Sequence, residues 1–206
     1  MKYKKCKRFN IPGHLHELTF SCFKNQPLLH DEETCKFLTK AISTAMAKHR
    51  FELWAYIFMP NHAHLLIAPK EKNYSISKIL QSIKQSSSRN IINYYRRMLP
   101  DKLELLRTCR PDRPFKFWQE GGGYDRNVFS IEATRNSVQY IHNNPLRWGL
   151  VEDPVAWPWS SYRNWTRNGT GPISIDANII PAIWMDVQGF ENDLFIYDPM
   201  IGQAVW

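Results

Sequence analysis

Four stretches of the chain have the alternating or continuous apolar patterns that are typical of strands. They are residues 11–23, 51–59, 62–68 and 124–129. The second and third stretches are separated only by Pro60-Asn61, a pair that favours a tight turn. The pattern therefore predicts four strands, of which the middle two form a hairpin.

Three further stretches repeat their apolar residues at the three- and four-residue spacing of a helix face. The first follows Asp31, which is a suitable N-cap, and the second spans residues 75–98. The third begins at Ser130, another N-cap, and ends at Asn144-Pro145, because proline disfavours helical angles in the residue before it. The sequence therefore predicts three helices.

The predicted elements follow the order strand, helix, strand, strand, helix, strand, helix. This is the order of a ferredoxin-like or RRM-like α+β sandwich, in which an antiparallel sheet carries helices on one face. We expect this domain to span residues 1–165. Residues 166–206 have no convincing period, and we expect an appendage of unknown role there.

The composition favours a globular protein with a polyanionic partner. Of the 206 residues, 43% are hydrophobic, which is enough for a substantial core and excludes a disordered or low-complexity chain. The net charge of +8 favours a polyanionic partner, of which nucleic acid is one, although many basic proteins bind no such partner. The four cysteines form no CxxC pair, so no zinc ribbon is predicted. Because no membrane helix or signal peptide is recognisable, we expect a soluble cytoplasmic protein without a membrane partner.

The fragment His62-Ala63-His64 is a candidate metal site. Side chains at positions i and i+2 of a strand point to the same face, so both imidazoles could bind one divalent cation. A pair of core or turn histidines would show the same spacing. Zinc usually takes three strong protein ligands, so two histidines favour a weak Mg²⁺ or Mn²⁺ site, with His142 as a rival ligand if the third helix were rotated.

A second fragment, at the end of the third predicted helix, carries a candidate nucleophile. Tyr140 and Asn144 are four residues apart and project from one side of that helix. The Tyr140 phenol could attack a phosphate, while the amide oxygen of Asn144 could be a third metal ligand. Alternatively, Tyr140 is a core residue and Asn144 only ends the helix.

Taken together, four sequence blocks resemble the HUH-type single-tyrosine transposases of the IS200 group, and most closely their REP-associated tyrosine transposase branch. The blocks are MPNHAHLL at 59–66, WQE with GYD at 118–125, YI to NP with GLV at 140–151, and WPWSS at 157–161. The resemblance covers about residues 10–165 and implies the HUH endonuclease fold. It implies that His62, His64 and Asn144 bind the metal and that Tyr140 is the nucleophile. Many relatives have Asp-His where this chain has Asp125-Arg126, so a role for a histidine there is absent.

The activity implied by the resemblance is metal-dependent cleavage and rejoining of single-stranded DNA. Mg²⁺ or Mn²⁺ would polarise the scissile phosphate, and Tyr140 would attack it to give a 5′-phosphotyrosine and a free 3′-OH. Since the pKa of tyrosine is about 10, a cation such as Arg147 must lower it, or a base must take the proton. The implied substrate is hairpin DNA, such as a repetitive extragenic palindrome, and no small-molecule cofactor is implied.

Cationic residues of the second helix, of the unpatterned basic stretch 100–118 and of the turn after the third helix are candidate contacts to DNA phosphates. The candidates are Lys78, Lys84, Arg89, Arg107, Arg110, Arg113, Lys116 and Arg147. Phe115, Phe117 and Trp118 could stack unpaired bases, although core packing explains Trp118 equally well. The oligomeric state stays open, with a monomer slightly favoured over a homodimer.

Two other functions fit the same sequence. A non-catalytic RRM-like module would bind single-stranded nucleic acid through aromatic residues of its sheet and would not need Tyr140 or His62. A metal-dependent hydrolase would use activated water and would form no covalent protein intermediate. A DNA adduct that survives denaturation separates both from the transposase.

Overall fold

The computed structural model describes residues 8–166 and 169–175. The strands are β1 (Leu15–Ser21), β2 (Phe51–Met59), β3 (His62–Pro69) and β4 (Tyr124–Val128). The helices are α1 (Glu32–His49), α2 (Ile76–Met98), α3 (Pro100–Leu105), α4 (Ile131–His142), α5 (Asn144–Arg147) and α6 (Tyr162–Trp165). The four strands and three main helices predicted from the sequence are confirmed, while the stretch predicted as a loop begins with the short α3.

The strands form one antiparallel sheet with the order β2-β3-β1-β4. The path β1-α1-β2-β3-α2-β4 through this sheet is the ferredoxin-like arrangement, and α1 and α2 pack against each other. The predicted α+β class is therefore confirmed. The side-chain caps of Asp31 on α1 and of Ser130 on α4 are also present.

The two faces of the sheet carry different helices. One face packs Leu18 and Leu65 into the main core with α1 and α2. The other face packs Leu66 against Val138 and Ile141 of α4. The expectation that the helices lie on one face holds for α1 and α2 but not for α4. The reason is that β3 is buried along both faces from His62 to Ile67, so both faces need a cover.

The outer edge of β2 is covered by the segment 157–165. The backbone of this segment exchanges hydrogen bonds with β2, from Phe58 N–H to Trp159 O at 2.9 Å and from Ser161 N–H to Tyr56 O at 3.0 Å. Two indoles of the segment also donate to β2 carbonyls, Trp157 to Phe58 O and Trp165 to Trp54 O. The segment thus extends the sheet edge without forming a regular strand.

Part of the predicted appendage packs on this edge. Gly171 N–H donates to Asn164 Oδ1, and Ile173 N–H donates to the Tyr56 hydroxyl, both at 2.8 Å. Ile173 is buried in the main core. The predicted domain boundary after residue 165 stays a prediction, since residues 176–206 lie outside the described residues. No helix in the described ranges combines the length and apolar character needed to span a membrane.

Candidate active site

The strand β3 places His62 and His64 side by side on the face that α4 covers. Their Nε2 atoms are 3.0 Å apart and their rings are nearly perpendicular, at 84°. His64 is 2% exposed and His62 is 9% exposed. The prediction that both imidazoles share one face is confirmed, and the pair presents its two Nε2 atoms to each other.

The outer ring nitrogens of both histidines are held by oxygen atoms. His62 Nδ1 lies 2.6 Å from Asn61 Oδ1, and His64 Nδ1 lies 2.8 Å from Thr19 Oγ1. An amide oxygen only accepts hydrogen bonds, so His62 Nδ1 carries the proton and its Nε2 carries a lone pair. His62 thus has the orientation that is common among metal-bound histidines, with its outer N–H given to an oxygen, whereas the Thr19 hydroxyl can donate to His64 Nδ1 or accept from it. The pair therefore suits a divalent cation.

Both imidazoles are neutral near pH 7. Burial lowers the pKa of His62 to about 4. Burial lowers the pKa of His64 to about 3, with smaller contributions from the charges of His62 and Arg147. Neutral imidazole is the form that binds metals. Within the described part of the chain, no group of three His, Cys, Asp or Glu residues could hold a metal.

The helix α4 brings Tyr140 against the histidine pair. The ring centroids of Tyr140 and His64 are 5.5 Å apart, with the rings perpendicular. Val138 and Ile141 of α4 are buried against the sheet, and this packing fixes the rotation of α4 about its axis. The two candidate fragments, 76 residues apart between His64 and Tyr140, therefore meet at one place.

A sharp turn between α4 and α5 folds two further predicted residues over Tyr140. The helix α4 ends at Asn143, and α5 begins at once with Asn144-Pro145. The guanidinium carbon of Arg147 lies 5.0 Å from the centroid of the Tyr140 ring. Asn144 is 3% exposed, and its Nδ2 donates to the Tyr140 carbonyl at 2.9 Å. The amide oxygen of Asn144 is thus left for another donor or a cation.

The pKa of the Tyr140 phenol reflects opposing influences. Burial raises it above the ordinary value of 10, and the charge of Glu17 adds to this. The charge of Arg147 and a hydrogen bond with Asn144 lower it. Arg147, predicted from the sequence as the activating cation, is therefore placed where it favours the phenolate.

His142 is not part of this cluster. Its Nε2 lies 2.7 Å from Ser161 Oγ, and its ring packs against Tyr162 and Trp165 on the β2 side of α4. The rotation of the third helix that would have made His142 a rival metal ligand is therefore not the one that the structure has. The rotation of α4 that buries Val138 turns His142 away from the histidine pair.

Sequence reasoning missed one ion pair at this site. Glu17 is 5% exposed, and its Oε2 lies 2.5 Å from Arg126 Nη2, which also donates to Ser137 Oγ of α4 at 2.9 Å. Glu17 and Thr19 are two residues apart on β1, so Glu17 points to the same face of the sheet as Thr19 and its partner His64. The only signal in the sequence was a charged residue inside an apolar alternation.

Comparison with known proteins identifies the family. Residues 14–144, which run from the start of β1 to Asn144, match the model of the family described as transposase IS200 like. The chain belongs to the IS200-like transposase family. The resemblance inferred from the sequence is therefore confirmed, and membership places the chain among transposases, which are enzymes that act on DNA.

Individual relatives are distant. A Haemophilus influenzae protein described as a REP-associated tyrosine transposase is 24% identical over 134 residues, which are 65% of this chain and 66% of that protein. The structure of a REP-associated tyrosine transposase bound to a REP hairpin matches with a TM-score of 0.62 at 20% identity, over 84% of this chain and 93% of that one. The crystal structure of a Deinococcus radiodurans protein described as a transposase matches with a TM-score of 0.42 at 19% identity, over 69% and 97%.

The predicted DNA-contacting cations of this family member lie on several surfaces. Arg147 lies over the ring of Tyr140. A cavity of about 760 Å³, which we call the α2 cavity, lies between α2 and residues 113–122 and is lined by four other candidates, Lys84, Arg89, Arg113 and Lys116. This cavity is on the α2 side of the sheet, opposite to α4. A sequence pattern cannot distinguish these two surfaces.

The remaining cations are placed differently. Lys78 lines another cavity, of about 500 Å³, with Lys48 and Arg50. Arg107 and Arg110 form two-point ion pairs with Glu104 and Asp112. These two arginines are therefore already partly neutralised by neighbours.

Two of the three aromatic residues that were candidates for stacking on bases are packed in the core instead. Phe117 is fully buried and Trp118 is 5% exposed, with its indole N–H given to Ser87 Oγ at 2.9 Å. Phe115 is half-buried and lines the α2 cavity. Lys84 Nζ donates to the carbonyls of Gln119 and Gly121, and these hydrogen bonds hold the segment 113–122, which lines the cavity, against α2.

Proposed function

We propose that this chain is a metal-dependent endonuclease and strand transferase for single-stranded DNA that cleaves hairpin DNA through a 5′-phosphotyrosine intermediate on Tyr140. One observation carries the proposal, namely the contact between the Tyr140 ring and His64, which is one member of the Nε2-to-Nε2 histidine pair. Family membership supports the reaction class. The hairpin bound to the similar REP-associated transposase supports the substrate class.

The histidine pair and Asn144 fit a divalent cation. His62 and His64 would hold it through nitrogen lone pairs, and the amide oxygen of Asn144 would be the third ligand. Two neutral imidazoles and one amide make a weak site, which suits exchangeable Mg²⁺ or Mn²⁺ better than structural zinc. When bound, such a cation supplies Lewis-acid polarisation of the scissile phosphate.

Tyr140 supplies the nucleophilic oxygen. Its phenolate oxygen forms a bond to phosphorus, and the bond from phosphorus to the 3′ oxygen of the preceding nucleotide breaks, which releases a 3′-OH after protonation. The charge of Arg147 stabilises the phenolate, and a hydrogen bond between the side chains of Asn144 and Tyr140 also lowers the pKa of Tyr140, so both residues favour loss of the phenol proton. Attack by a 3′-OH on the phosphotyrosine reverses the step, so strands can be rejoined without an external energy source.

The α2 cavity is the second part of the proposed DNA interface. Arg89 and Arg113 are exposed at its rim, and the described residues provide no ion pair for either. Both guanidinium groups are therefore available to phosphates, which contribute affinity with little choice of sequence. Because Tyr140 lies on the opposite face of the sheet, the substrate must reach around the molecule to contact both.

The test is incubation of the full chain with end-labelled hairpin DNA and Mn²⁺, followed by denaturing electrophoresis. The proposed transposase gives a protein band carrying label. A nucleic-acid-binding module gives a retarded complex under native conditions and no band after denaturation. A hydrolase gives cleaved DNA without a labelled protein band, and either of these last two results contradicts the proposal.

A further inference from the structure

An exposed indole stands beside the histidine pair. Trp148 directly follows α5, and its ring centroid lies 5.9 Å from that of His62. Trp148 is 59% exposed, whereas Trp118 and Trp165 are 5% and 2% exposed. The apolar surface of this indole is thus left in water although the folded chain buries comparable side chains elsewhere.

The backbone fixes the position of Trp148. Its N–H donates to the carbonyl of Asn144 at 3.1 Å, and the preceding residue, Arg147, lies over the Tyr140 ring. Two consecutive residues therefore contact the two parts of the candidate site: Arg147 contacts Tyr140, and Trp148 contacts His62 of the histidine pair. If a phosphate were held between Tyr140 and the histidines, a neighbouring nucleotide would be within reach of this indole.

We propose that Trp148 stacks on one unpaired base next to the scissile phosphate and so acts as a positioning residue for cleavage. This inference rests on the proposed function. Aromatic side chains stack on single-stranded bases with little sequence preference, because every base has a π face, and each such stacked base changes affinity on the order of tenfold or more. A base inside a duplex is already stacked on both sides, so Trp148 favours cleavage where the strand is unpaired.

The experiment has two arms that use the same hairpin DNA. In the first arm, 2-aminopurine replaces each unpaired base near the cleaved bond in turn, and its fluorescence is measured with the full chain bound. We expect quenching at one position with the wild type and with Trp148→Phe. We expect that quenching to be lost with Trp148→Ala and kept with Phe129→Ala, which removes a 76% exposed ring that packs against His14.

In the second arm, an abasic site replaces the quenched base, and DNA affinity and the rate of adduct formation are measured. We expect Trp148→Ala to weaken binding of intact hairpin about tenfold and to leave binding of the abasic hairpin unchanged. An equal effect on both DNAs, or quenching that survives Trp148→Ala, overturns the inference. The wild-type adduct on intact DNA tests the proposed function separately, so stacking without an adduct contradicts only that function.

Discussion

Glu17 of β1 and Arg126 of β4 form an ion pair at 2.5 Å between these two neighbouring strands. Arg126 also donates to Ser137 of α4, so one guanidinium connects β1, β4 and the helix that carries Tyr140. Arg126 thus neutralises a buried carboxylate close to Tyr140.

This arrangement predicts that Arg126→Met lowers the free energy of unfolding by about 1–3 kcal/mol, because it leaves the Glu17 carboxylate buried without its partner. Urea denaturation measures the change. The double variant with Glu17→Gln should lose less stability than the sum of the two single variants. Additive losses would mean that the two side chains do not stabilise each other.

Tyr140→Phe should abolish the covalent DNA adduct and leave DNA affinity nearly unchanged, because only the nucleophilic oxygen is removed. Denaturing electrophoresis and native binding measurements give the two quantities. Tyr124→Phe is the matched control. Tyr124 is exposed on the face of the sheet that carries His64, and it is close enough to raise the pKa of Tyr140 electrostatically. An adduct that persists in Tyr140→Phe and disappears in Tyr124→Phe would reassign the nucleophile.

His62→Ala and His64→Ala should each remove metal-dependent cleavage, and Asn144→Ala should weaken it less, because a neutral amide oxygen is the poorest of the three ligands. Calorimetric titration with Mn²⁺ should give the same order of affinities. His14→Ala, which removes a half-buried histidine just before β1, should bind Mn²⁺ like the wild type. Undiminished binding by the double variant of His62 and His64 would place the metal elsewhere.

The α2 cavity predicts a specific salt dependence of DNA affinity. Replacing Arg89 and Arg113 by alanine should reduce the slope of log affinity against log salt by about 0.7 for each phosphate that is no longer neutralised. Replacing Arg107 and Arg110 should reduce it less, because Glu104 and Asp112 already pair with them. The measurement is a salt series on a hairpin and on its scrambled strand. Equal slopes for both pairs of variants would contradict the assignment of the cavity.

Lys84 predicts a dependence of stability on pH. Burial lowers its pKa from 10.5 to about 8, so between these values the unfolded chain binds more protons than the folded one. The stability of the wild type relative to Lys84→Met should therefore rise with pH across this window, by at most about 1.4 kcal/mol per pH unit. Urea denaturation at pH 7 and pH 10 tests this. A difference that stays constant would show that Lys84 keeps its ordinary pKa.

Local sequence patterns were sufficient to predict the strands and main helices, and to predict which residues of the candidate site lie close together within each of its two fragments. The alternation of β3 is enough to place His62 and His64 on one face. The four-residue spacing of Tyr140 and Asn144 is enough to keep them close together, although Asn144 begins α5 and does not belong to α4. The caps at Asp31 and Ser130 are also local. These features depend on neighbours within one turn or one strand.

What the sequence could not provide depends on distant partners. Glu17 and Arg126 are 109 positions apart, and only the register of β1 with β4 brings them together. The position of α4 on the second face depends on β3 being buried on both faces, although one of these faces carries His62 and His64, and the alternating pattern alone does not reveal this. The exclusion of His142 from the site likewise needs the rotation of α4 against the sheet.

The segment that covers β2 has a consequence for how copies of the chain behave in a crowded solution. An uncovered outer strand offers a ready template on which another polypeptide can add a strand of its own, which is a route to aggregation. Trp159, Ser161 and the indoles of Trp157 and Trp165 already occupy the hydrogen-bonding groups of β2 that would otherwise be available. The WPWSS block and Trp165 thus protect this edge of the sheet against the addition of a strand from another chain.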